Sequence, residues 1–542
     1  MRGLLAACLA FIAVGVAYPL GWLLYRSLAA AGGGLTLEHW RRCAGNPFLA
    51  PAVSNSLWLS AAATLLAVSA ALGFALLSER TDFPGRSWLR AAALSPLFTS
   101  QSVLAVAWAL LAGRSGPLHS LCAAAGFELS VYSMTGMALV SAASTLPFAF
   151  LVLEASVRSV GAEHAEAAAV CGASPARALR AVWIPLLLPG LGAAALLCFL
   201  LSSTLFGVHG LLGIPAGVWT VTNLLYTQLS LYSSEPGEAA ALGFWLVCAG
   251  LAVLLLQRAV LPGGGAAGLS GRSGAPRRRR LAGWSAAAAC AASLGAAAAL
   301  LVLPWSALLA RSLTPRAGAW SLDAYRALFS DPALRRALAH SAALAAAAAP
   351  LCCAVGLGAA YLVARARPRG AGLARLLCVA PMAFSGLVLA VAYIYAFSQP
   401  PLALYGTLWM FLLLYAAREL PVSFLAGEAA LAQLHPELEE QAAVCGGGPA
   451  AVARRVLWPL LRPAAYGAAS LVFLAAFREM EASSILAGVG TEVFGYQVFS
   501  GFQRGALEEV SAMGVVGGLA GLAAGGALYR AAGGASAAWW RS

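Results

Sequence analysis

Long apolar runs recur along this chain from its first residues to its last, separated by short polar or Arg-bearing stretches. An α-helix rises 1.5 Å per residue, so about 20 apolar residues cross the hydrocarbon core of a bilayer. The runs predict twelve spans, near residues 4–25, 55–77, 91–112, 134–153, 187–207, 239–260, 284–309, 338–363, 376–397, 402–426, 464–486 and 511–530. Only 10% of the 542 residues are charged and 61% are hydrophobic, whereas soluble domains carry about 25% charged residues. The expected fold class is therefore an all-α, polytopic transmembrane protein. The N-terminal run is long and lacks a small-residue cleavage pattern, so a retained helix is expected there rather than a secretory leader.

The spans fall into two series of six. "PLGWLLYRSL" at 19–28 returns as "PWSALLARSL" at 304–313, and "VLAVA" at 103–107 returns at 388–392, both at an offset of 285. From Leu146 to Pro189 the offset is 274, and 21 of 44 positions are identical without a gap. The first half thus holds eleven extra residues between its third span and this segment, and "GRSGPLHSLCAAAGF" at 113–127 is expected to supply them. Two six-span repeats have parallel topology, with a binding path expected between them. The expected domains are a first repeat over 1–261, a Gly/Arg-rich cytoplasmic linker over 262–283, and a second repeat over 284–542. With the N-terminus inside, cytoplasmic loops and tails hold about 22 Arg and outside loops about 11, a bias that places both termini in the cytoplasm.

One polar island is written twice. "EHAEAAAVCGASP" at 163–175 and "ELEEQAAVCGGGP" at 437–449 each carry Glu six residues before Gly and Pro three residues after it. Both continue to Pro-Leu-Leu-x-Pro, at 185–189 and 459–463. The Ala-rich stretches favour a short helix. Gly172 or Gly446 would end it in the left-handed conformation, and Ser174 or Gly448 would cap a second helix opened by Pro175 or Pro449. A plain membrane hairpin accounts for the Gly and Pro, but not for the repeated Glu-to-Gly spacing.

This spacing resembles the EAA motif of the permease subunits of bacterial ABC importers, and the chain as a whole resembles the fused, two-permease type. The resemblance implies two cytoplasmic coupling helices, each docking on an ATPase subunit. The first would use Glu163, Glu166, Ala167, Ala168, Gly172 and Pro175. The second would use Glu437, Glu440, Ala442, Gly446 and Pro449. Gln441 stands where the motif has its first Ala, and Gly447-Gly448 loosens the second turn. Two loops imply two ATPase copies, which would hold the ATP and Mg; this chain is expected to bind no cofactor and to be no enzyme. The other implied partners are an extracytoplasmic solute-binding protein and the lipid bilayer. "LYGTLWMFLLLYAARELPVSF" at 404–424, "FREMEAS" at 477–483 and "FGVHGLLGIP" at 206–215 most resemble the ferric-iron group, with thiamine, 2-aminoethylphosphonate and polyamine permeases as alternatives.

Charge and composition narrow the chemistry. All 34 basic residues are Arg, so no P-loop lysine and no lysine Schiff base exist in this chain, and any ATP must be bound elsewhere. The basic residues sit in short loops, which reads as membrane topology and not as nucleic-acid binding. The eleven Cys and six His show no metal-ligand spacing and no nucleophile–base set, so neither a catalytic nor a metal site is expected. Cys43 and Cys122 fall in expected outside loops where a pair could form, although free thiols are the simpler expectation. Ionisable groups within spans are functional candidates, and these are Arg418, Glu479 and Glu481, with Tyr393 beside them. Glu479 and Glu481 would point about 200° apart on a regular helix and pair with Arg478 or meet water. Arg418 would snorkel to the cytoplasmic surface, Tyr393 would pack, and His209 would be an exposed loop residue. An ion-driven secondary transporter is the rival from another class; it would leave the repeated loops unexplained.

Overall fold

The computed structural model describes residues 2–30, 33–127, 130–160, 170–172, 174, 177, 179–230, 236–260, 279–281, 283–314, 320–366 and 370–531. Among these, ten helices are long and apolar enough to cross a membrane: Ala6–Leu28, Leu49–Arg80, Met134–Ser159, Arg180–Thr204, Pro236–Leu256, Trp284–Leu313, Pro332–Ala366, Leu408–Ala432, Pro449–Phe477 and Leu507–Ala524. Two helix pairs, Arg86–Phe98 with Gln101–Ala112 and Ala371–Ala383 with Gly386–Phe397, bend by 111° and 116°. Counting each pair as one span gives twelve. Strand among the described residues is limited to a parallel pairing of Thr81–Asp82 with Arg279–Arg280.

The third and ninth spans are therefore not straight, contrary to expectation. Pro96 and Pro381, 285 residues apart, each lie in a tight turn. Two extended residues follow each turn: Thr99 (ψ 131°) and Ser100 (ψ 144°) in one, Phe384 (ψ 135°) and Ser385 (ψ 145°) in the other. Proline cannot donate to the helix ladder, so both halves break at the same point. The tenth span starts at Leu408 and not near 402, because Gly406 has φ 76° and Thr407 is extended. The eleventh ends at Phe477, well short of 486. There the Glu479 carboxylate takes the N–H groups of Ala482 and Ser483, local bonding that competes with a continuing helix.

Helices Leu49–Arg80, Met134–Ser159 and Arg180–Thr204 pack as a triangle, and Pro332–Ala366, Leu408–Ala432 and Pro449–Phe477 form a second one. Small residues allow the close approach. Ala63, Ala67, Ala71 and Ala75 are fully buried, and their counterparts 285 residues on are Ala348, Cys352, Gly356 and Ala360, also buried. A Cβ on Gly356 would lie 2.6 Å from that of Ser423. The outer spans cross over. Ala6–Leu28 lies on Pro332–Ala366 and Gly386–Phe397, whereas Trp284–Leu313 lies on Arg86–Leu94 and Gln101–Ala112. The eleven cysteines are free thiols. Cys43 is buried, and that burial, with the Glu238 charge second, holds its thiol above the usual range.

Candidate gate and coupling helices

Arg418 lies ten residues into Leu408–Ala432, about 15 Å from its start and so near mid-span. This replaces the expected position near the inner end, since the span begins later than the apolar run implied. Its guanidinium does not snorkel outward. Nη1 donates to Glu479 Oε1 at 2.8 Å and Nη2 to Glu481 Oε2 at 2.7 Å. The two carboxylates converge because they sit in the turn after Phe477 and not on a regular helix. Glu479 Oε2 also accepts from the Ser483 hydroxyl at 2.7 Å, and Tyr415 shares that hydroxyl at 2.7 Å.

Glu481 ties distant segments together. Oε1 accepts from the Phe206 N–H at 3.0 Å, and Oε2 from the Gly386 N–H at 3.0 Å. Gly386 begins the second arm of the second bent pair, and a Cβ there would fall 1.9 Å from Arg418 Nη1. Only glycine lets the guanidinium lie over that helix start.

Arg478 does not pair with Glu479 or Glu481. It turns toward the first bent pair and donates to the carbonyls of Pro96, Leu97 and Thr99. Backbone groups freed within a membrane must find partners inside the protein. One short turn, 478–481, therefore serves both breaks: Arg478 satisfies carbonyls of the first, and Glu481 an N–H of the second. Sequence reasoning missed this role for Arg478. The signal available was a charge beside two carboxylates directly after an apolar run, together with Pro96 and Pro381 at equivalent positions.

The charges of this cluster come from one half. At the 274 offset, Leu205 and Gly207 stand for Glu479 and Glu481, and Ser144 for Arg418. Arg418 faces Glu419, Glu479 and Glu481, and with Arg478 near Glu419 the formal count is three carboxylates to two guanidinium groups. Arg418 keeps 22% of its side chain accessible and Glu419 16%. Tyr393 is buried, its hydroxyl donating to the carbonyls of Gly15 at 2.7 Å and Leu413 at 3.3 Å. His209 is buried and not exposed, because residues 205–230 fold back against the second half at Phe206 and Glu481. No cluster of three or more His, Cys, Asp or Glu among the described residues could hold a metal ion.

In the second polar loop, Glu437–Val444 is a short helix with Glu437 and Glu440 exposed and Ala442 half-buried. Gly446 has φ 81°, and the N–H groups of Gly446 and Gly447 return to the carbonyls of Ala443 and Ala442. Gly448 is extended before Pro449, which opens the next helix. In the other copy Gly172 has φ 73°, and the Ser174 hydroxyl accepts from the Arg177 N–H at 3.4 Å. Glu163, Glu166, Ala167, Ala168 and Pro175 lie outside the described residues. Val170 and Val444, two residues before these glycines, are both 88% exposed.

Among the described residues, ten long apolar helices with two bent pairs, a buried Arg–Glu cluster and paired polar loops define the class: a polytopic membrane protein. A family described as binding-protein-dependent transport system inner membrane component matches residues 63–263. The chain is 30% identical to the molybdenum transport system permease protein of Mycobacterium bovis over 38% of its own length and 78% of that protein. It is 25% identical to the ferric transport system permease protein of Actinobacillus pleuropneumoniae, covering 83% of this chain and 67% of that one. It is also 27% identical to a 2-aminoethylphosphonate transport system permease of Salmonella choleraesuis, over 40% and 77%. The chain belongs to the family of binding-protein-dependent inner-membrane transport components, the permease subunits of ABC importers. It is thus a multi-span bacterial inner-membrane protein and a transporter subunit rather than an enzyme, working with a solute-binding protein and a separate ATPase.

Proposed function

We propose that this chain is the fused, two-repeat permease of an ABC importer for ferric iron, with repeats at 1–261 and 284–542 joined by a cytoplasmic linker at 262–283. The observation that carries this reading is the likeness to a ferric permease across 83% of the chain, which takes in both halves. The net negative charge around Arg418, Glu479 and Glu481 favours passage of a cationic cargo, and carboxylate oxygens suit a hard trivalent ion.

In this reading both termini are cytoplasmic, as the Arg bias requires. Two ATPase copies, carrying the ATP and Mg, dock on the two coupling loops. Glu163, Glu166, Ala167, Ala168, Gly172 and Pro175 form one contact, and Glu437, Glu440, Ala442, Gly446 and Pro449 the other. Support comes from the positive φ of Gly172 and Gly446 and from the exposed Val170 and Val444. The path lies between the halves, closed at mid-membrane by Arg418 with Glu479 and Glu481. Tyr393 borders it, holding the second bent pair to the first span through Gly15. ATP-driven approach of the coupling helices would rock the halves and alternate access to the path.

The test is uptake into proteoliposomes that contain this chain, its ATPase and its binding protein. ATP-dependent accumulation of radiolabelled ferric iron is expected. Accumulation of 2-aminoethylphosphonate, thiamine or a polyamine instead would reassign the cargo. Proton- or sodium-driven uptake by this chain alone would overturn the ABC reading.

A further inference from the structure

Each half carries an Arg at the cytoplasmic end of its second span, and the two are held differently. Arg80 donates to the carbonyls of Val157 and Val160. Arg365, 285 residues later, donates to the carbonyls of Leu431 at 3.2 Å and Leu434 at 2.6 Å, which are the counterparts of Val157 and Val160 at the 274 offset. So far the halves agree.

They part at the remaining face of the guanidinium. Arg80 stacks on the Trp183 ring, with 4.3 Å to its centroid. Arg365 meets a carboxylate: its Nε lies 3.0 Å from Glu439 Oε1, and the Tyr361 hydroxyl donates to Glu439 Oε2 at 2.9 Å. Three repeat positions have changed together. Leu76 stands for Tyr361, Ala165 for Glu439, and Leu457 for Trp183. Both Arg365 and Glu439 are mostly buried, each with 17% of its side chain accessible. A partly desolvated carboxylate that takes one guanidinium N–H on one oxygen and a phenol O–H on the other is held directionally.

Glu439 belongs to the Glu437–Val444 helix, but it faces inward, opposite to the exposed Glu440 and Val444. We propose that Tyr361, Arg365 and Glu439 form a positioning clamp, present only in the second half, that transmits movement of the docked ATPase from the second coupling helix to the Pro332–Ala366 helix. The first half lacks the Tyr and Glu of this route, with Leu76 and Ala165 in their places, and its Arg stacks on Trp183 in the span after the loop. This inference rests on the docking role proposed for the 437–449 loop.

The experiment uses the complete complex in proteoliposomes, with whichever of ferric iron or 2-aminoethylphosphonate the wild type accumulates. Solute moved per ATP hydrolysed is measured together with the amount of ATPase that co-purifies. Glu439→Ala should lower solute moved per ATP about fivefold or more while the ATPase stays bound. Glu439→Gln, which retains an acceptor, should recover part of that loss, and Tyr361→Phe should lose least. An unchanged ratio in Glu439→Ala overturns the clamp, and so does release of the ATPase by that variant, which would make Glu439 a docking contact. Gly446→Trp separates the two readings. If it releases the ATPase while Glu439→Ala leaves the ratio intact, only the clamp fails; if Gly446→Trp leaves ATPase binding and transport whole, the docking role itself fails.

Discussion

Arg418 and Glu481, 63 residues apart and on different segments, meet at 2.7 Å near the middle of the Leu408–Ala432 helix, with Glu479 on the other arm of the same guanidinium. Removing one member of a buried ion cluster leaves the others uncompensated, typically at about 3–5 kcal/mol. Arg418→Ala should therefore destabilise the protein by that order, read as a lowered melting temperature in detergent. Replacing all three together, with Arg418→Met, Glu479→Gln and Glu481→Gln, should recover much of the loss. A melt unaltered by Arg418→Ala would mean that the carboxylates are already neutral or solvated.

Arg478 holds three carbonyls at the first bend, at Pro96, Leu97 and Thr99. Arg478→Met keeps the length and volume of the side chain but removes its donors. Each buried acceptor left unmade costs about 1–3 kcal/mol, and the loss should concentrate where the bent pair is held. Amide hydrogen exchange across residues 95–105 should rise more than across the equivalent residues 380–390. Equal exchange in the two segments would refute a specific role at the first bend.

The contrast between those two bends also shows where the sequence was informative. The number of spans, the two series and the conformation of the 437–449 loop were legible, because each depends on local periodicity or on Gly and Pro at fixed spacing. Gly446 at φ 81° and Pro449 at a helix start follow from their neighbours alone. The bends at Ser100 and Ser385 were hidden, since an apolar run reads the same whether straight or folded. The partners of Arg418 were hidden for a different reason. Hydropathy carried the eleventh span past Phe477, so Glu479 and Glu481 were placed on a helix face they do not occupy, and their convergence is a long-range contact. His209 reads as a polar loop residue until the fold-back of 205–230 buries it.

Gly172 and Gly446 have open space where a Cβ would stand, so their only local penalty is the positive φ. A non-glycine residue in that region costs about 1–2 kcal/mol. Alanine at either position should therefore be tolerated, with ATPase co-purification reduced less than twofold. Tryptophan at the same positions would stand on the exposed surface beside Val170 or Val444 and should abolish co-purification and uptake. If alanine and tryptophan behave alike, the effect is one of backbone conformation, and the surface is not a docking face.

Cys171 and Cys445 are exposed beside those glycines, whereas Cys43 is buried with its thiol pushed up by burial and by Glu238. The thiolate is the reactive form, so Cys43 should stay unlabelled near neutral pH. Its reactivity should rise only as pH climbs toward the raised value. A membrane-impermeant maleimide applied to inside-out vesicles that lack the ATPase should modify Cys171 and Cys445, and adding the ATPase should protect both. Right-side-out vesicles should leave the two thiols untouched. Labelling of Cys171 and Cys445 from the outside would reverse the topology, and labelling undiminished by bound ATPase would show that the two loops do not carry it.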